Sequence, residues 1–218
     1  SKGNIEKLRL RISTPTIGGY KIIARNGKSV QEVFIITRLN KKELNSLINE
    51  SDLLSGSLEI TNIWYAVAKI SGIKLCQAYN KEHKTDYRCI MPTNLFGKYD
   101  NFKGINAHVI PALIEKFHRA KSNNLKQVKI WGSGNAKREF LYVDDLSKLI
   151  YELMKISRNK YFYNTDNSGI INVGSNFEFS IKTIAEKLKK ISSYKGKISF
   201  EKNSLEGVKR KKLNLKNL

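Results

Sequence analysis

The sequence predicts an α/β fold built on a parallel sheet, and three observations carry that prediction. Thr61 to Cys76 has helical spacing, and the pattern continues to about His83. After a Lys84-Thr85-Asp86 turn comes Tyr87-Arg88-Cys89-Ile90-Met91, a short apolar run bounded by turn signals. Such a run suits a strand buried on both faces of a parallel sheet. Short strands and helices then succeed one another as far as Phe200, as they do in α/β proteins.

The chain has 218 residues, enough for one domain with a sizeable core or two small ones. With 40% hydrophobic and 27% charged residues it has the composition of a globular protein, and no apolar run is long enough to span a bilayer. A cytoplasmic protein without a signal peptide is expected. Its two cysteines, Cys76 and Cys89, lack metal-type spacing and fall on a predicted helix and a predicted strand. They read as buried thiols in a reducing compartment, and no metal site is expected. The net charge of +21 points to polyanionic partners. The lysines are spread along the chain and the densest run, Lys209-Arg210-Lys211-Lys212, is short. This reads as a compositional bias rather than a dedicated nucleic-acid arm.

Taken in order, residues 1–47 form a basic segment with ten Lys or Arg against three Glu and no Asp. Lys21 to Ala24 and Val33 to Ile36 read as short strands, and Lys41 to Ile48 as a short helix or turn. In the central helix Asn62 is a suitable N-cap. Trp64, Val67, Ala68, Ser71-Gly72, Leu75 and Ala78 are expected to share its packed face. Tyr65 and Lys69, four apart, project from one side. A phenol ordinarily titrates near ~10, and an adjacent ammonium favours its anionic form. Such a pair can pass a proton to a carbonyl oxygen.

Pro92 to Gly97 follow at the C-terminal end of the Tyr87–Met91 strand, where open α/β sheets bind ligands. His108 starts a helix whose apolar face is Val109, Leu113 and Phe117. Val128 to Trp131 and Arg138 to Val143 read as two strands of a hairpin-like unit around a Gly132-Ser133-Gly134-Asn135 turn. Arg138, always charged and bidentate, suits a diphosphate, and Trp131 can stack on a sugar or base. Asp144 and Asp145 cap a helix from Leu146 to Ile156. Residues 157–169 read as a loop and Ile170 to Gly174 as a strand. Ser180 caps Ile181 to Ile191, with Ile184, Leu188 and Ile191 as its apolar stripe, and Lys195 to Phe200 is a last strand.

An ordered series of motifs carries a resemblance. Tyr65-Ala66-Val67-Ala68-Lys69 and its continuation to Asn80 are followed by Asp86 to Gly97 (DYRCIMPTNLFG), Asp100-Asn101-Phe102 and His108 to His118 (HVIPALIEKFH). Trp131 to Gly134 (WGSG), Arg138 to Asp145 (REFLYVDD) and Ile171 to Gly174 (INVG) complete the series. From about Ile48 to Leu218 the chain resembles the extended short-chain dehydrogenase/reductases, most closely the GDP-L-fucose synthase family. That resemblance implies a Rossmann-like doubly wound parallel sheet with an incomplete N-terminal half and a smaller C-terminal α/β substrate region. It divides the chain into an atypical segment (1–47), the remainder of the NADP-binding domain (48–107) and a mainly substrate-binding region (108–218).

The implied reaction is NADPH-dependent 3,5-epimerisation and 4-keto reduction of GDP-4-keto-6-deoxy-D-mannose. Tyr65, Lys69 and His108 are the catalytic residues the resemblance implies. Lys69, Pro92, Thr93, Asn94, Leu95 and His108 would meet NADP(H). Lys116, Trp131, Arg138 and Lys212 would meet the GDP-sugar. A homodimer formed through the Tyr65 helix is also implied. The sequence departs from the family in residues 1–47: Ile17-Gly18-Gly19-Tyr20 is no glycine-rich phosphate loop, and the places of the family's Ser and Cys read Ile36-Thr37-Arg38. Truncation at both ends, or a shifted reading frame in this stretch, is expected to account for this. An inactive relative and a basic nucleic-acid-binding protein are the competing readings.

Overall fold

The computed structural model describes residues 11–12, 21–26, 29–35, 47–56, 58, 63–104, 107–201 and 209–218, with the strands before residue 47 described by their backbone. In chain order these are β1 (Arg11–Ile12), β2 (Lys21–Asn26), β3 (Ser29–Ile35), a 3-10 turn (Glu50–Asp52) and α1 (Ile63–His83). Next come β4 (Tyr87–Pro92), β5 (Asn94–Phe96), α2 (Val109–Ser122), β6 (Gln127–Trp131), β7 (Lys137–Tyr142), α3 (Val143–Lys155) and α4 (Arg158–Asn164). The last are β8 (Ile170–Val173), β9 (Glu178–Ser180), α5 (Ile181–Ile191), β10 (Lys197–Glu201) and β11 (Arg210–Lys211).

The main sheet has the order β1-β2-β3-β4-β8. Its core, β3-β4-β8, is parallel, with Phe34 opposite Cys89 and Cys89 opposite Ile170. An antiparallel β1-β2-β3 meander forms its other edge. Alternation along β4 and β8 sends successive side chains to opposite faces. Cys89, Met91 and Ile170 pack with Ile73 and Cys76 of α1 on one face. Ile90, Ile171 and Val173 pack with Leu146, Ile150 and Leu153 of α3 and Tyr161 and Phe162 of α4 on the other. A second core joins α2 and α5 to the parallel pair β6-β10 through Leu113, Phe117, Val128, Ile130 and Ile184.

Two side chains fix the approach of α1 to β4. The Asn80 amide donates to the Tyr87 carbonyl oxygen (2.7 Å) while its own oxygen accepts from Tyr87 N–H and the Thr85 hydroxyl (both 2.9 Å). Arg88, 2% exposed, holds Asp86 through two bonds (2.8 and 2.7 Å) and donates to the carbonyl oxygens of Leu153 and Ile156. Its guanidinium also lies 4.7 Å from the centroid of the Tyr161 ring.

Four local expectations are corrected. The buried stripe of α1 is Ala66, Lys69, Ile73, Cys76 and Asn80, while Trp64 is 82% exposed and Val67 and Leu75 are exposed too. Packing against Cys89 and Met91 selects the stripe centred on Ile73, and the apolar face read from the sequence points outward. Strands β6 and β7 make no hairpin: β6 pairs with β10, while β7 pairs with β5, β9 and β11. Residues 158–164 are helical rather than a loop, because Ser157 accepts from Lys160 N–H and Tyr161 and Phe162 bury themselves on the α3 core. Asp144 and Asp145 lie inside the first turn of α3, whose N-cap is Tyr142. The N-cap expected at Asn62, the helix expected from Lys41, and Thr37 and Arg38 lie outside the described residues.

Candidate active site

Helix α1 carries Tyr65 and Lys69 one turn apart, so they share a side of the helix. Lys69 Nζ lies 5.3 Å from the centroid of the Tyr65 ring. Lys69 is only 6% exposed, on the face that approaches the sheet. Burial disfavours its charged form and lowers its pKa from 10.5 to about 8. The ammonium is thus the form present at neutral pH, and it loses its proton under mildly alkaline conditions.

A second grouping forms where β4 ends. Pro92 is buried, and Thr93 N–H donates to the Val173 carbonyl oxygen (2.9 Å). The Thr93 hydroxyl and the Asn94 amide both donate to the Glu139 carbonyl oxygen (2.9 and 2.8 Å). Leu95 sits opposite Leu141 on β7. This is the C-terminal edge of the parallel strands, where the sheet leaves room for a ligand.

A third grouping is cationic. Strand β11 runs parallel to β7, with Lys211 opposite Arg138, and Lys212 follows. Arg210 grips the Glu178 carboxylate in two bonds (2.8 and 2.6 Å), which holds that carboxyl below its usual range. Separately, Lys116 Nζ lies 5.3 Å from the Trp131 ring and donates to the Lys129 carbonyl oxygen (3.0 Å). Trp131 is 72% exposed, and the two residues line an open hollow of about 240 Å³ with Arg119, Leu125 and Glu201. His108 belongs to none of these groupings: it is the exposed N-cap of α2, and its ring makes no capping hydrogen bond.

Residues 40–174, more than half of the chain, match the profile of the NAD dependent epimerase/dehydratase family. The chain belongs to this family. The GDP-L-fucose synthase of Escherichia coli (strain K12) is 44% identical over 170 residues, 78% of this chain and 53% of that protein. GDP-L-fucose synthase 1 of Arabidopsis thaliana is 45% identical over 166 residues, 75% of this chain and 48% of that protein. A solved GDP-L-fucose synthetase from Naegleria fowleri bound to NADP superposes with a TM-score of 0.70 at 25% identity, covering 84% of this chain and 57% of that one. The chain spans about half the length of the curated relatives it matches. The family's Rossmann-like α/β fold is the one seen in the parallel β3-β4-β8 core with helices on both faces.

Residues 1–53 match a second profile, described as a predicted metal-binding protein, although that stretch contains neither His nor Cys. Sequence reasoning passed over two buried polar residues of this family member. Glu139 is 0% exposed and joins the second grouping to the third; Asn172 on β8 donates to the Ile48 carbonyl oxygen (2.8 Å). A carboxylate at an inward position of an alternating strand was the available signal for Glu139.

Proposed function

We propose that the chain carries the proton-transfer and substrate portions of a GDP-L-fucose synthase-like enzyme. It would act on GDP-4-keto-6-deoxy-D-mannose by epimerisation at carbons three and five and NADPH-dependent reduction of the 4-keto group. The observation that carries this reading is the buried Lys69 ammonium beside Tyr65 on a helix packed against β4. When bound, NADPH supplies the hydride. Tyr65 donates its hydroxyl proton to the keto oxygen, and the Lys69 ammonium stabilises the negative charge left on the phenol oxygen. Lys69 also holds the cofactor ribose.

The nicotinamide end fits the residues present. Pro92 and Thr93 are fixed at the sheet edge by backbone and hydroxyl bonds, and Asn94 and Leu95 continue along it. His108 is assigned as the general acid that returns a proton to the sugar carbon during epimerisation. Arg138 and Lys212 neutralise the diphosphate, and Trp131 with Lys116 receives the nucleoside end.

The exposed apolar face of α1 (Trp64, Val67, Leu75, Tyr79) supports a homodimer through that helix. A cytoplasmic location goes with the two buried free cysteines and the nucleotide-sugar substrate. No helix among the described residues is long and apolar enough to cross a membrane.

A second reading, a family member without activity, is favoured by Ile36-Thr37-Arg38 standing where the family has its Ser and Cys. Titration of the purified chain with NADPH, followed by its own fluorescence, separates the two. Saturable micromolar binding and turnover of the keto-sugar support the enzyme, and absence of binding supports the inactive relative.

A further inference from the structure

Glu139 is the best-buried acidic side chain among the described residues, and none of the roles above uses it. Its two ends serve different segments. The carbonyl oxygen accepts from the Thr93 hydroxyl (2.9 Å) and the Asn94 amide (2.8 Å), on the cofactor side. The carboxylate accepts main-chain N–H groups from Asn176 (2.6 Å) in the loop after β8 and from Leu213 (3.3 Å) in the tail after β11. Carboxylates that accept from N–H groups form charge-assisted bonds, and removing one partner leaves a buried polar group unpaired. Gly174 leaves space for this arrangement, since a Cβ there would run into the Glu139 carboxylate.

The tail is held on its other sides as well. Ile48 N–H donates to the Lys212 carbonyl oxygen (2.9 Å), and Asn214 N–H donates to the Ile48 carbonyl oxygen (2.8 Å). The Asn172 amide donates to the Asn214 carbonyl oxygen (3.1 Å). Two residues upstream of Lys212, Arg210 is gripped by Glu178, which lies directly across from Glu139 in the β7-β9 register. The main chain around Lys212 is therefore seated on Glu139, while the strand carrying Glu139 also carries Arg138.

We propose that Glu139 is a positioning residue that fixes the cationic tail residue Lys212, and with it the Arg138–Lys212 spacing, relative to the Thr93–Asn94 edge. This rests on the reading of Lys212 and Arg138 as diphosphate contacts and Thr93–Asn94 as the cofactor edge. Diphosphate and cofactor subsites would then move as one unit, because the same residue holds both by its main chain and its side chain.

The test compares the full 218-residue chain with Glu139→Gln, Lys212→Ala and the double variant. The readouts are GDP binding by calorimetry and hydrogen exchange over residues 209–214. Glu139→Gln turns one acceptor oxygen into an NH2 group facing an N–H donor. It is expected to weaken GDP binding about tenfold, and to speed exchange in the tail while α5 and β8 keep their protection. The double variant is expected to bind GDP no more weakly than Lys212→Ala alone, because a positioned group cannot be lost twice. Unchanged tail exchange, or losses that simply add, would overturn the proposal.

If the wild-type chain binds no GDP but Glu139→Gln still loosens the tail, the clamp stands and the functional reading falls. Should Glu139→Gln not fold, Gly174→Ala crowds the carboxylate with Glu139 still present. It is expected to loosen the same tail residues, and a tail left unchanged by it would overturn the proposal.

Discussion

Lys69 holds its ammonium 5.3 Å from the centre of the Tyr65 ring from a position that solvent barely reaches. Burying the amine lowers its pKa to about 8 and leaves it charged at neutral pH, beside the Tyr65 phenol. The first expectation concerns that phenol. Tyr65→Phe keeps the ring and removes the hydroxyl. Ketone reduction should fall by about two to four orders of magnitude, the range that general acids contribute. Because Tyr65 is half-buried at the start of α1, the melting temperature should stay close to that of wild type. A variant that still reduced the ketone at the wild-type rate would remove Tyr65 from the mechanism.

Lys69 makes stability depend on pH with a definite sign. Its folded pKa of about 8 lies below the unfolded value of 10.5. Between these values the unfolded chain binds more protons than the folded one, so stability rises with pH across the window from about 8 to 10.5. Below about 8 both states are protonated and the cost of the buried charge is constant. Denaturant unfolding of wild type against Lys69→Met should show a gain of the order of 1–3 kcal/mol across the window in wild type alone. Reduction rates should fall as the pH rises through about 8, where the folded chain's Lys69 ammonium is lost, and Lys69→Arg, which keeps its charge, should flatten that fall.

Arg88 illustrates how a residue inside an apolar run can be essential to the fold. The sequence marks Tyr87 to Met91 as a buried strand, and the structure agrees, yet the guanidinium is among the most buried groups described. Its bonds to Asp86, Leu153 and Ile156 tie β4 to the end of α3. Arg88→Ala leaves Asp86 and two carbonyl groups without their partner and should cost about 3–5 kcal/mol, read from chemical denaturation. A loss below about 1 kcal/mol would mean that water replaces the guanidinium there.

The legible parts of the fold were those set by local chemistry. Ser180 caps α5 through Thr183 N–H, as its place before an amphipathic run indicates. The β4 and β8 strands read correctly because burial on both faces leaves a continuous apolar run. What failed depended on partners distant in sequence. The nearness of β6 and β7 in the chain implies a hairpin, but β6 finds β10 some seventy residues later. On α1 both stripes contain apolar residues, and only Cys89 and Met91 decide which one is buried. In the site, the Tyr65–Lys69 pair was visible because a helix fixes spacing four apart. Glu139 was not, because its partners Thr93, Asn176 and Leu213 come from three separate segments.

Arg138 and Lys212 test the electrostatic part of the proposal. Lys211 stands opposite Arg138 along one edge of β7, and Lys212 follows directly in the chain. Arg138→Ala and Lys212→Ala should each weaken GDP binding about tenfold or more, and the wild-type affinity should drop as salt is raised. Binding of free guanosine, which lacks the phosphates, should be insensitive to both substitutions. Equal losses for guanosine and GDP would place these residues away from the diphosphate.

The outward face of α1 leads to the last expectation. Trp64, Val67, Leu75 and Tyr79 recur at helical spacing and all are exposed, with Ser71 and Gly72 between them. Among the described residues, no atom beyond the helix's own backbone lies within 4 Å of where a Gly72 Cβ would stand, which leaves the middle of this face open to a close approach by another helix. Aromatic and aliphatic side chains in such a stripe are left in water by the single chain, and a second copy packed on the same face would bury both sets. Leu75→Glu places a charge in the centre of that contact and should convert a dimer into a monomer in sedimentation velocity, with the helix content unchanged. Ser71→Leu should weaken the dimer as well, by holding the two helices apart where small residues let them meet. A wild-type chain that sediments as a monomer at every concentration would assign this stripe to some other covering surface.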